Sequence, residues 1–139
     1  MTNKDIVQRF CTQLWEKKNL AVIEALMVDE AKIASPFNVM YGKLSMREVA
    51  EKWLTAFPDL TIQWQSVVAE GDQVAVRWQA NGTHLGSFFE TNPTHQEVYY
   101  SGVTFFTLRE EKIAEYWALV DMHALLKQAG VESLSEAID

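Results

Sequence analysis

The stretch VVAEGDQVAVRW, residues 67–78, changes its polarity at every second residue after the turn. Val74, Val76 and Trp78 alternate with Gln73, Ala75 and Arg77, the period of two that a pleated strand imposes. Gly71-Asp72 supplies the residue types of a tight turn, so 60–69 and 73–84 read as an antiparallel hairpin. Upstream the period belongs to helices. Ile6, Val7, Phe10, Cys11, Leu14 and Trp15 form one apolar stripe, with Thr2 or Asn3 as its cap. A short helix follows over 19–27, and MVDEAKIASPF then runs extended to Pro36. Ser45 and Glu48 match a capping box, and Met46, Val49, Ala50, Trp53, Leu54 and Phe57 make the helical face behind it. Pro58 ends that helix.

Downstream, 85–96 reads as a loop, and strands follow at 97–108 and 113–121 around the charged turn Arg109–Lys112. A last helix carries Met122, Leu125, Leu126 and Ala129, with Gly130 at its C-terminal end. Residues 131–139 hold three acids and no base and read as a loose tail on a single domain spanning 1–139. Helices first and a meander afterwards predict an α+β fold, a curved antiparallel sheet covered on one face by N-terminal helices. Such a cone leaves an interior space, packed or open. Alternation places Ile113, Glu115, Trp117, Leu119 and Asp121 on one face of the last strand, and Ala114, Tyr116, Ala118 and Val120 on the other. Both faces of the strands carry large or uncharged groups, so a second subunit is expected over the outer one.

The composition narrows the function. A net charge of −7 with scattered Lys and Arg gives no basic footprint for nucleic acid or an anionic membrane. No apolar run approaches the roughly 18 residues of a membrane helix, and no charged-then-apolar leader opens the chain, so a soluble, cytoplasmic protein is expected. The lone cysteine, Cys11, forbids an internal disulfide and a cysteine-based zinc site. The three histidines have no HxH or HxxxH spacing, so no metal is expected.

Several runs together are distinctive: AFPDL (56–60), GTHLGSFF (82–89), NPTHQEV (92–98), SGVTFF (101–106) and KIAEYWALVD (112–121), besides the hairpin. With them the chain resembles the SnoaL-like polyketide cyclases, or ester cyclases, of the nuclear-transport-factor-like superfamily. The resemblance implies a cystatin-like α+β cone, a homodimer, and a mostly apolar pocket that uses no cofactor and no metal. In the cyclases of that family an aspartate ending the last strand acts as acid and base. It matches Asp121 here. The family's partner histidine on the preceding strand is missing, since VTFFT (103–107) offers only Thr104 and Thr107. The usual Asp-Gly of the last turn is replaced by Glu110-Glu111.

On this reading Asp121 and His84 are the catalytic candidates. Trp53, Phe57, Trp117, Phe37 and Met40 would line the pocket, and Tyr100 and Thr104 would orient an oxygen of a small apolar carbonyl compound. Asp121 also precedes an apolar-periodic helix, where Asp is among the best N-caps. An enzyme that cyclises or isomerises its substrate by proton transfer, and a non-catalytic binding or dimerisation module, both remain open.

Overall fold

The structure, a computed structural model, describes residues 1–88 and 90–130. The acidic stretch 131–139 lies outside the described residues. In chain order the elements are α1 (Asn3–Cys11), a π-helical turn (Thr12–Glu16), α2 (Ala21–Leu26), β1 (Met27–Ala34) and β2 (Val39–Tyr41). These are followed by α3 (Lys43–Ala56), β3 (Thr61–Glu70), β4 (Gln73–Thr83), β5 (Glu97–Arg109), β6 (Lys112–Val120) and α4 (Met122–Gln128).

α1 begins with a reciprocal cap. The Thr2 hydroxyl accepts the Asp5 N–H, and the Asp5 carboxylate accepts the Thr2 N–H, each at 3.1 Å. Its apolar stripe then runs on through the π-turn, where Leu14 and Trp15 are both buried. The start of α3 differs from the Ser45–Glu48 box read in the sequence. Gly42, at φ +97°, takes the chain out of β2 and into the helix ahead of Ser45, without a side-chain cap. Ser45 therefore lies within the first turn, and its hydroxyl donates back to the Tyr41 carbonyl at 2.9 Å.

The sheet is six-stranded, curved and unclosed, in the order β2-β1-β6-β5-β4-β3. β3 to β6 form the antiparallel meander, while β1 pairs in parallel with β6 and carries β2 at the edge. α1 packs against the inner face, where Phe10 meets Phe106 edge-on with ring centroids 6.0 Å apart. Among the described residues, no helix is long and apolar enough to cross a membrane.

One irregularity reorders the last strand. Thr107 pairs with Glu115 but Leu108 pairs with Ile113, so Ala114 is an extra residue on β6. Such a bulge reverses the alternation beyond it. Ile113 and Ala114 are both buried, and past them Tyr116, Ala118 and Val120 face inward. Ile113 therefore does not share a face with Trp117 and Asp121. Trp117 lies on the outer face, against Phe105 at 5.9 Å.

Candidate functional site

The alternation of β4 and β5 sets the floor of the interior. Val74, Val76, Trp78, Ala80 and His84 are buried on one side, as are Val98, Tyr100, Thr104 and Phe106. α1, its π-turn and α3 cover this floor without filling it. A cavity of about 310 Å³ remains between them. Trp15 and Cys11 enter it from the first helical segment, Val49 and Trp53 from α3, and Met40 from β2. The sheet contributes Trp78, Tyr100, Thr104, Tyr116 and Val120. Pro36, Phe37, Asn38, Lys52 and Leu119 are exposed lining residues and mark the rim. Among the described residues, no carboxylate and no histidine lines this space.

The polar groups of its sheet wall are few and buried. Trp78 Nε1 donates to Thr104 Oγ1 at 3.0 Å. Burial pushes the Tyr100 phenol well above its usual value, with the charge of Tyr116 acting the same way. Tyr116 is also raised, by burial and then by Cys11, against the opposing effect of the neighbouring Thr104 hydroxyl. Near one end, Trp64 Nε1 donates to Glu16 Oε1 at 2.8 Å.

Of the residues singled out in the sequence, Trp53, Phe37, Met40, Tyr100 and Thr104 line the cavity. Phe57 does not. It is fully buried behind the wall, packed on Trp53, Phe88, His84 and Tyr100. Trp117 is also outside, because the bulge turns it to the other face of the sheet. Tyr116 and Trp78 are among the lining residues that were not singled out. Trp78 was legible from the alternation of β4, whereas Tyr116 was hidden by the bulge.

Asp121 and His84 are not brought together. Asp121 is exposed and caps α4, its Oδ1 accepting the Ala124 N–H at 3.1 Å. Its backbone N–H donates to the Ser101 carbonyl at 2.9 Å. Its chain neighbours Val120 and Met122 both line the cavity, whereas Asp121 itself is not among the lining residues. His84 is fully buried and does not line this cavity. Its Nδ1 lies 3.0 Å from Thr94 Oγ1 and accepts the Thr94 N–H at 3.3 Å. That contact assigns the ring proton to Nε2, which has no hydrogen-bond partner among the described residues. The ring sits 5.8 Å from Phe57 and 6.4 Å from Phe88. His95 and His123 are exposed. Among the described residues, no three His, Cys, Asp or Glu side chains gather as a metal would require.

Burial holds the His84 pKa below its ordinary value, with His95 acting the same way and the Gly86 backbone opposing. A depressed histidine favours the neutral folded form. Its contribution is complete above the unfolded pKa of about 6.5 and is lost as the pH falls toward the folded value. The urea midpoint of the wild type should fall between about pH 7.5 and 5.5 more steeply than that of His84→Leu. Equal slopes for the two proteins would refute this role.

A family model described as SnoaL-like polyketide cyclase matches residues 5–129. No curated protein sequence matches the chain. Among solved structures, AclR from Streptomyces galilaeus, a proposed hydroxylase, has a TM-score of 0.83 at 28% identity, over 94% of this chain and 86% of its own. A proposed SnoaL-like polyketide cyclase from Jannaschia sp. CCS1 has a TM-score of 0.87 at 22% identity, over 94% and 93% of the two chains. IdmH from Streptomyces antibioticus, a proposed polyketide cyclase, has 0.80 at 24% identity, over 94% and 100%. At their level of identity the last two share the fold with this chain.

Proposed function

Because the chain belongs to the SnoaL-like polyketide cyclase family, we propose that its cavity binds a small, mainly apolar carbonyl compound and that the protein transfers a proton on it. The observation that carries this reading is the largely apolar cavity of about 310 Å³ with buried hydroxyls inside, with Asp121 standing in the chain between the lining residues Val120 and Met122. Asp121 is the base. It takes an acidic proton flanked by carbonyls, and the resulting carbanion attacks a second carbonyl of the same molecule or is reprotonated elsewhere. The first outcome closes a ring and the second isomerises the substrate. Holding a flexible substrate folded in a shaped cavity supplies the proximity that ring closure needs. His84 is a neutral part of the packing between Phe57 and Phe88 and takes no proton from substrate.

One observation favours a second reading, a non-catalytic binding module of the same fold. Capping of α4 by itself accounts for an exposed aspartate at position 121. Asp121→Asn separates the two, since Asn caps as well as Asp and stability should hold. In the enzyme reading, turnover across a panel of aryl 1,3-diketones falls by at least about a hundredfold while binding persists. If the wild type binds such compounds and converts none of them, the binding module is the correct reading. The outer sheet face exposes Tyr99 and Phe105 beside Trp117. A second copy of the chain covers this face, so sedimentation equilibrium of the same samples should give a dimer. A monomer at micromolar concentration would overturn that assignment.

A further inference from the structure

The cavity wall formed by β4, β5 and β6 carries a hydrogen bond whose direction is fixed. An indole nitrogen can only donate. Trp78 Nε1 donates to Thr104 Oγ1, so the Thr104 hydroxyl proton cannot return to Trp78 and must point to another acceptor. Tyr116 and Tyr100 line the same wall. Burial raises both phenols, so each keeps its proton through neutral pH. Among the described residues no carboxylate and no histidine lines the cavity, and the pairing of the Thr104 hydroxyl with the neighbouring Tyr116 phenol uses only one of their two protons, which leaves the other for a further acceptor.

The position of Trp78 depends on Gly102, its direct cross-strand partner on β5. A Cβ at position 102 would lie 2.5 Å from Trp78 Cζ2 and 2.5 Å from the Leu119 carbonyl oxygen. The missing side chain therefore lets the indole lie across β5 and reach Thr104. Any larger residue at 102 drives the ring off the wall and separates Nε1 from the hydroxyl.

We propose that Thr104, Tyr116 and Tyr100 form a subsite for a hydrogen-bond-accepting oxygen, that of a ketone, a quinone or an enolate, with Gly102 and Trp78 as positioning residues. The proposal rests on the cavity being a ligand site, and it adds which part of the ligand meets this wall. A donor group or a hydrocarbon edge there would leave buried hydroxyls unmatched, and such groups are costly when unpaired.

The test uses two probes of similar shape, 2-acetylnaphthalene and 2-isopropylnaphthalene, titrated into the full chain and followed by tryptophan fluorescence. For Thr104→Val and Tyr116→Phe, the affinity for the ketone relative to the hydrocarbon should fall by about tenfold, while the hydrocarbon's own affinity stays within about twofold. Thr104→Ser should restore the wild-type ratio. Gly102→Ala should lower the ratio as Thr104→Val does and weaken both probes, because the displaced indole enters the cavity. Should Thr104→Val fail to fold, the Tyr116→Phe and Thr104→Ser ratios decide. An unchanged ratio in Tyr116→Phe and in a folded Thr104→Val overturns the subsite and leaves the cavity reading intact. If the wild type binds neither probe, the cavity reading falls and the subsite falls with it.

Discussion

Replacing Phe57 with alanine is expected to remove about 3–5 kcal/mol of folding stability. Phe57 is fully buried where α3 ends, and its ring touches four others. Centroid distances are 5.3 Å to Phe88, 5.8 Å to His84, 6.0 Å to Tyr100 and 6.1 Å to Trp53. Its N–H also donates to the Trp53 carbonyl at 2.9 Å, closing the last turn of α3. Removing the ring leaves a void bounded on several sides by rigid aromatic planes that cannot collapse inward. A domain of this size has only about 5–15 kcal/mol to lose. The urea midpoint should drop sharply with little change in slope, and a loss below about 1 kcal/mol would contradict the packing described. Ligand affinity should fall as well, because Phe57 backs Trp53, which lines the cavity.

The second large effect is expected at Gly86. The Leu85 and Gly86 N–H groups both donate to the Ala56 carbonyl, at 3.0 and 3.2 Å, and so satisfy an acceptor at the end of α3. A Cβ on residue 86 would stand 2.0 Å from the Thr55 carbonyl oxygen and 2.8 Å from its carbon. Those are backbone atoms with no rotamer to change, so the loop must retreat and give up both hydrogen bonds. Gly86→Ala should destabilise by about 3 kcal/mol or more. Gly71 is the control. Its φ of +59° penalises a side chain, but nothing lies within 4 Å of a Cβ there. Gly71→Ala should lose only about 1–2 kcal/mol. Thermal unfolding of both variants decides the matter, and equal losses would remove the argument for a close approach at Gly86.

The site was only partly visible in the sequence. Alternation on β4 and β5 identified Tyr100 and Thr104 as inward-facing, because neither strand slips register against the other. The same rule misplaced Trp117 and missed Tyr116, because the extra residue Ala114 on β6 can be seen only in the pairing with β5. Phe57 fell on the apolar stripe of α3, yet a helical stripe does not distinguish a ring facing a cavity from a ring packed behind it. Ser45 looked like a cap because the local pattern fits one. The chain instead turns at Gly42, where a positive φ ends the edge strand. Asp121 was read both as a cap and as a carboxylate near the interior, and the structure has it capping α4 between two residues that line the cavity.

Element order, the period of each segment and the inward faces of β4 and β5 follow from the residues alone, since backbone geometry sets side-chain direction over a few residues. The cavity does not follow from them. It exists because α1, the π-turn and α3 stand off from a bent sheet. Its polar wall exists because a bulge on β6 turns Tyr116 inward and the missing side chain at Gly102 lets Trp78 reach Thr104. These contacts join strands and helices far apart along the chain, and no local period encodes them.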